Sequence, residues 1–133
     1  MIRLATEQDI PVLVRGMLQL RQQTAWASVE GDYSDVSLRQ FLTLRLRAID
    51  SVCYLWDDPV DACCGITLNT MFHPQYLPYV HEWAWWGAPR PAVQCWHACL
   101  EWGRRQGAVY SLRVQSQPGP ATSVHELAIW EKL

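Results

Sequence analysis

Two stretches near the start of the chain repeat apolar residues at helical spacing. The first runs from residue 7 to about 23, with Thr6 placed to begin the helix and Asp9 adding negative charge to its first turn. The second covers residues 35–48 and keeps its arginines on the opposite face. The apolar positions are Ile10, Leu13, Met17 and Leu20 in the first stretch, and Leu38, Phe41, Leu42 and Leu46 in the second. The pattern predicts two amphipathic helices, joined by a polar loop over residues 24–32.

Short runs of aromatic and β-branched residues elsewhere in the chain predict strands. Gly65 lies inside one of these runs, which indicates a bulge or a close backbone approach at that point. The last strand is expected to lie parallel to the one before it, because a helix between them makes a crossover connection. The predicted strands cover residues 2–4, 51–56, 60–71, 79–86 and 109–114.

Residues 79–108 combine a strand, a proline-rich turn and a helix. Pro91 is placed to be the first helical residue, and Gly107 to be the left-handed residue that follows the helix. Such a unit points backbone N–H groups at the carboxyl end of a sheet, where they form a potential anion site. The inward face of this helix is predicted to consist of Val93, Trp96, Cys99 and Leu100.

The last segment, residues 121–133, predicts a final helix. Its apolar positions are Val124, Leu127, Ala128, Trp130 and Leu133. With the earlier elements, this gives a mixed sheet carrying helices, which belongs to the α+β class. A chain of 133 residues is sufficient for one domain, spanning residues 1–133.

Composition excludes several classes of function. Half of the residues are apolar and the net charge is −2, so neither disorder nor a nucleic-acid surface is expected. No apolar run is long enough to span a membrane, and the N-terminus does not have the pattern of a signal peptide, so we expect a cytoplasmic protein. The eight tryptophans could fill a core, but so many large aromatic residues in a small domain also favour a protein–protein interface.

Five cysteines, at positions 53, 63, 64, 95 and 99, are expected to be reduced and packed in the core. Cys95 and Cys99 share a helical face, which raises the alternative of a metal site. His97 points away from that face, however, and no second ligand pair has the usual zinc spacing. We therefore predict no metal.

Several motifs resemble the GNAT acyl-CoA N-acyltransferase family. The opening IRLATEQDIPVLV is similar to that family's first strand and helix, and the predicted strand order also matches. Cys64-Gly-Ile-Thr-Leu followed by His73-Pro resembles the third strand of small phage-type members, and His81-Glu-Trp-Ala-Trp-Trp resembles their fourth strand. Ala128-Ile-Trp-Glu-Lys-Leu resembles the end of their fourth helix.

The resemblance implies transfer of an acetyl group from acetyl-CoA to an amine. It assigns Glu82 as the general base, since a carboxylate on the fourth strand, buried among the aromatic residues 83–86, can accept the proton of the amine. A structural carboxylate paired with an arginine is the alternative for this residue. The resemblance further assigns the cofactor to Trp85, Trp86, Gly87, Arg90, Ala92 and Val93, with Arg90 meeting a phosphate.

Three features depart from the family pattern. The turn Ala88-Pro89-Arg90-Pro91-Ala92 lacks the family's glycines, and its two prolines remove N–H donors from the place where pyrophosphate binds. Trp130 replaces a tyrosine that serves as general acid in many members, and indole N–H does not titrate. The fold is further expected to be truncated at the C-terminus, without the last two strands, leaving a sheet edge that a partner subunit could cover.

These departures favour one function over another. We expect a GNAT-like protein that has lost acetyl-CoA binding and acts as a binding or structural protein, such as a virion or accessory component of a phage. Its partner is expected to be another protein or a second copy, with no nucleic acid and no membrane. The alternative is an active N-acetyltransferase that uses acetyl-CoA and Glu82.

Overall fold

A computed structural model describes residues 1–22, 34–57, 59–70, 75–118 and 124–133. The predicted loop 24–32 lies outside these residues, and so does most of the predicted loop that includes His73 and Pro74. The strands are β1 (Ile2–Leu4), β2 (Ser51–Trp56), β3 (Ala62–Asn69), β4 (Tyr79–Gly87), β5 (Tyr110–Pro118) and β6 (Val124–Lys132). The helices are a short 3-10 turn (Glu7–Asp9), α1 (Ile10–Gln22), α2 (Asp35–Arg47) and α3 (Pro89–Arg105).

The six strands form one mixed sheet in the order β1-β2-β3-β4-β5-β6. Neighbouring strands are antiparallel except β4 and β5, which are parallel as predicted. The crossover through α3 produces this parallel pair, since a strand, a helix and a returning strand cannot form a hairpin. The mixed sheet with helices confirms the predicted α+β class.

A hydrophobic cluster lies on each face of the sheet. Helices α1 and α2 cover one face, where their buried side chains meet Cys53, Leu55 and Cys63. Helix α3 covers the other face with Ala92, Cys95, Trp96 and Cys99. The inward residues predicted for α2 are confirmed: Leu38 and Leu42 are buried, and Phe41 and Leu46 pack against the same cluster.

A bulge interrupts the pairing of β3 with β4 beside Gly65, as the sequence predicted. Gly65 pairs with Ala84 and Ile66 pairs with Glu82, so Trp83 is the extra residue on β4. A Cβ on Gly65 would lie 2.3 Å from Cζ2 of Trp83, and glycine therefore gives the indole its space. The bulge moves Ala84 and Trp86 onto the face covered by α1 and α2, while Trp85 packs on the α3 face.

The start of the chain is fixed by the residues that the sequence predicted. The Thr6 backbone N–H donates to Oδ2 of Asp9 at 2.8 Å, and the Asp9 N–H donates to the Thr6 carbonyl at 2.9 Å. Asp9 also accepts two hydrogen bonds from the Arg3 guanidinium, at 2.8 and 2.9 Å. Arg3 reaches Asp57 at the end of β2 as well, so one guanidinium joins β1, the first helical turn and the end of β2.

The prediction of a final helix over residues 121–133 is wrong. Val124–Lys132 form β6, which pairs with β5 along nine positions in antiparallel register. The same segment that resembles the family's fourth helix is therefore a strand, and Trp130 is a strand residue. The expected open edge of β5 is also corrected, because β6 covers that edge.

Helix α3 differs from its prediction at its start and on its buried face. It begins at Pro89, so both prolines lie in the first turn. Its buried face consists of Ala92, Cys95, Trp96, Cys99 and Gly103. Val93, predicted to face inward, is 42% exposed. Gly107 follows the helix with φ of 88°, as expected for the left-handed residue at a helix end.

Candidate functional site

Strands β4 and β5 separate after three residue pairs. The last pair joins His81 and Leu112, beyond which β4 continues to Gly87 and β5 to Pro118 without further pairing between them. Glu82 is the first β4 residue beyond this point. The separation leaves one side of the β4 backbone unpaired next to the start of α3, which is where the resemblance assigns the cofactor.

Glu82 lies on the α3 face of the sheet and is half-buried. It pairs with Ile66 of β3, whose side chain belongs to the buried cluster under α3. Its charge contributes to the raised pKa of the Cys64 thiol, after burial and the neighbouring Cys99. Glu82 therefore occupies the position expected for a carboxylate at the separation of the strands, and its role as a general base stays a prediction.

His81 lies at the same point, although no sequence motif identified it as a site residue. Burial lowers the pKa of this imidazole, and the charge of Arg45 on α2 lowers it further. His81 is consequently neutral near pH 7, where a neutral imidazole can accept a proton. His81 is close to Arg45 because of the way α2 packs across the sheet. A local sequence motif does not predict that packing.

The first turn of α3 offers few backbone donors. The Ala88 N–H donates to the Asp61 carbonyl at 3.0 Å, and the Ala92 N–H donates to the Ala88 carbonyl at 2.9 Å. Pro89 and Pro91 have no N–H group. Among residues 88–92, the Arg90 N–H is the one backbone donor without an acceptor in the described part of the chain. A pyrophosphate group requires several converging donors, so this turn does not fit it.

A groove of 660 Å³ lies at the carboxyl end of β4, beside this turn. Its walls come from the end of β4, the second half of α1, the connection before β3 and the start of α3. The lining residues are Gly16, Gln19, Leu20, Val60, Asp61, Trp85, Trp86, Gly87 and Ala92. Four predicted cofactor residues thus meet at one groove: Trp85, Trp86, Gly87 and Ala92.

The other predicted site residues lie outside the groove lining. Arg90 is exposed on the outer side of the α3 start, and Val93 is exposed one turn later. Glu82 lies further back along β4, at the separation of the strands. No sequence pattern indicated Gly16, Gln19 or Asp61, since these residues reach the groove only through the packing of α1 and of the β2–β3 connection.

Trp85 is held in place from several directions. Its indole N–H donates to the Ala92 carbonyl at 2.8 Å, which ties the end of β4 to the first turn of α3. Its ring stacks on Trp96 with centroids 5.1 Å apart and an angle of 24° between the planes. The Arg113 guanidinium lies 5.5 Å from the Trp85 centroid and also bonds to Glu131 of β6. Side chains of β4, α3 and β5 therefore bridge the separated strands on the α3 face.

The cysteines pack in the core, as predicted. All five are free thiols and all are buried. Burial is the main cause of the raised pKa of Cys63 and Cys64, and it raises the pKa of Cys95 to about 12. Within the described residues, no group of three or more His, Cys, Asp or Glu side chains is arranged to hold a metal ion.

Solved structures identify the fold. A predicted acetyltransferase from Clostridium acetobutylicum, solved with acetyl-CoA, superposes with a TM-score of 0.67, over 88% of this chain and 81% of its own, at 15% identity. An aminoglycoside antibiotic 6'-N-acetyltransferase from Acinetobacter haemolyticus gives 0.66, over 85% and 77%, at 12% identity. Glucosamine-6-phosphate N-acetyltransferase from Arabidopsis thaliana gives 0.61, over 85% and 80%, at 14% identity.

The chain therefore has the GNAT acetyltransferase fold. The sequence matches no protein-family model, and it matches no curated protein. None of the helices in the described part of the chain is long and apolar enough to cross a membrane.

Proposed function

We propose that this GNAT-fold protein does not bind acetyl-CoA in the manner of the family and acts as a binding protein. The observation that carries this proposal is the first turn of α3, where two prolines and the Ala88–Asp61 hydrogen bond leave the Arg90 N–H as the one open backbone donor among residues 88–92 in the described structure. A phosphate placed there would find little compensation for its lost hydration. Arg90 could supply one side-chain contact, which replaces a set of backbone donors poorly.

The charge beside this turn supports the same conclusion. Asp61 lies next to the start of α3, since its carbonyl accepts the Ala88 N–H. Burial is the main cause of the raised pKa of Cys95 in the second turn of α3, and the Asp61 carboxylate is one of the smaller causes. A carboxylate near a helix N-terminus is stabilised by the helix dipole, and it repels a second anion at that position.

Calorimetric titration with acetyl-CoA and with CoA tests the proposal. We expect no saturable heat with either ligand up to about millimolar concentration, which corresponds to roughly −4 kcal/mol or weaker. The acetyltransferase of Clostridium acetobutylicum, solved with acetyl-CoA, is the positive control. Micromolar binding to the native chain, lost in Arg90→Ala, would contradict the proposal.

An active N-acetyltransferase is the second candidate, supported by the place of Glu82. This carboxylate is the first residue beyond the last β4–β5 pair and is half-buried, where it would accept the proton of a bound amine. Acetyl-CoA would be its cofactor; under the first proposal there is none. Release of CoA thiol in the presence of an amine panel, abolished by Glu82→Gln, would favour this candidate.

A second copy of the chain is the partner that we propose. Strand β6 pairs on one side with β5, and no described strand pairs with its other side over the nine residues. An open edge of this length is a template for another strand. Light scattering across a concentration series checks this, with a dimer as the expected result and a monomer at every concentration as the contrary one.

A further inference from the structure

The groove at the end of β4 has the chemistry of a cation site. Among its lining residues in the described structure, Asp61 is the one with an ionisable side chain, and no lysine, arginine or histidine lines it. The remaining polar side chain is the amide of Gln19, and Trp85 and Trp86 are the aromatic residues of the lining. A volume of 660 Å³ lies in the range that holds small organic molecules.

We propose that this groove binds an organic cation, a guanidinium or ammonium group, with Asp61 as its counter-ion. The proposal rests on the proposed function, because it assigns a ligand to the binding protein inferred above. Tryptophan is the side chain on which cations bind best, and a carboxylate at the rim adds charge attraction. The groove therefore favours a positively charged ligand, whereas the phosphates of CoA are negatively charged.

One internal contact shows that indoles at this end of the sheet accept such a group. The Arg113 guanidinium lies 5.5 Å from the centroid of Trp85 and 5.9 Å from that of Trp96. Glu131 supplies the carboxylate partner of that guanidinium. On one side of Trp85, the protein thus already holds a guanidinium in contact with both tryptophan and a carboxylate. The groove offers the same combination, with Asp61 as the carboxylate.

Asp61 is available for this role because the fold uses its backbone rather than its carboxylate. Its carbonyl accepts the Ala88 N–H, an interaction that asparagine at the same position would preserve. Asp61 is exposed, and the described structure contains no ion pair to it. The substitution Asp61→Asn therefore removes the negative charge while it keeps the shape of the groove.

Titration with agmatine, a small molecule with a guanidinium and an ammonium group, tests the proposal by calorimetry and tryptophan fluorescence. The native chain is expected to bind agmatine with a dissociation constant below about 1 mM, and Asp61→Asn to weaken binding roughly tenfold. Binding should also weaken as salt rises, because the attraction is partly exposed and screened. Asp50→Asn is the matched control, since Asp50 is an exposed carboxylate at the opposite end of β2.

A second variant distinguishes a loss of binding from a loss of folding. Gln19→Lys places a positive charge in the groove from an exposed position of α1, and it should abolish agmatine binding while the circular dichroism spectrum stays native. An acetyl-Ala-Arg-Ala amide peptide forms the second arm. Peptide binding with the same dependence on Asp61 supports a protein side chain as the source of the cation, and agmatine binding alone supports a free metabolite.

Two results would overturn the proposal: no saturable binding of either probe by the native chain, or binding that is unchanged in both Asp61→Asn and Gln19→Lys. The acetyl-CoA titration is independent of both. Binding of acetyl-CoA would remove the proposed function, whereas failure of both cations with acetyl-CoA also unbound would remove only this assignment of ligand.

Discussion

The indole of Trp86 lies against the backbone of Gly16, so close that a Cβ on Gly16 would be 2.2 Å from Cε2 of the ring. Helix α1 approaches the end of β4 at this contact, and both residues line the groove. The absence of a side chain at position 16 therefore sets the distance between α1 and β4, and with it one wall of the groove.

Gly16→Ala should destabilise the protein in spite of the better helix propensity of alanine. The methyl group overlaps an indole that is also packed against the core, and such overpacking costs about 1–3 kcal/mol, reduced by roughly 1 kcal/mol from propensity. Urea denaturation measures the difference. Arg15→Ala, at the neighbouring exposed position of α1, is the control and should change stability little. Equal stability of Gly16→Ala and the native chain would mean that Trp86 moves without cost.

Asp9→Asn should destabilise the protein in a way that depends on pH. Hydrogen bonds from Arg3 are the main cause of the lowered pKa of Asp9, so the folded state binds its proton less readily than the unfolded state. The stabilisation is therefore complete above the ordinary pKa of 3.8 and is lost as pH falls through the lower, folded pKa. We expect a loss of about 2–3 kcal/mol at pH 7, from the charged hydrogen bonds.

Denaturation of both forms between pH 7 and pH 2 checks this prediction, and their stabilities should converge at the acid end. Asp35→Asn is the control, because its ion pair with Arg39 is exposed and such pairs contribute within about 0.5 kcal/mol. A difference between Asp9→Asn and the native chain that stayed constant down to pH 2 would argue against Arg3 as the cause.

His81 should titrate below 6.5, its ordinary pKa, when followed by NMR of the imidazole. Burial is the larger cause and Arg45 the smaller, so Arg45→Met should raise the pKa of His81 without restoring it fully. Because the folded pKa is lowered, His81 reduces stability as pH falls below 6.5, and this loss continues down to the folded pKa. Arg47→Met, which removes an arginine paired with Glu7, should leave the pKa of His81 unchanged.

The five thiols should be nearly inert in the native protein. Burial raises the pKa of Cys63, Cys64 and Cys95, so the reactive thiolate is scarce at neutral pH. Ellman's reagent is expected to modify the cysteines slowly in buffer and all five rapidly in denaturant. Fast labelling of the native chain would show that the core opens, or that a thiolate is stabilised by a group on an adjacent element.

Local pattern predicted most of the elements, because their signals are contained in short stretches. The faces of α1 and α2 follow from helical spacing, and the bulge follows from Gly65. The last strand could not be obtained in this way, since Val124, Leu127 and Ala128 fit helical spacing equally well. Its antiparallel pairing with β5 over nine positions decides the outcome, and helical or strand spacing within residues 124–132 alone carries no record of that pairing.

The position of the groove could be predicted from the sequence, but only some of the residues that line it could be. The strand–turn–helix pattern of residues 79–108 located the end of β4 and the helix that follows it, although α3 begins at Pro89 and not at Pro91 as predicted. Asp61 and Gly16 were not predictable, because they enter the groove from elements that are far away in sequence. Val93 was predicted to face inward but is exposed. The small residues Ala92, Cys95 and Cys99 let α3 lie close to the sheet, and they set its buried face.

The bulge at Trp83 changes which face of the sheet the later side chains of β4 point to. Val80 and Trp85 lie on the same face although four residues lie between them, an even number that places two residues on opposite faces of a regular strand. The two halves of the strand are therefore out of step by one residue. Deleting Trp83 would remove the extra residue and leave Trp85 towards α3 and Trp86 towards α1, in regular alternation. A regular β4 that kept Trp83 without the bulge would instead turn Trp85 towards α1 and Trp86 towards α3. The tryptophan that now bonds to Ala92 and the one that now covers Gly16 would exchange sides, and each helix would meet the wrong indole.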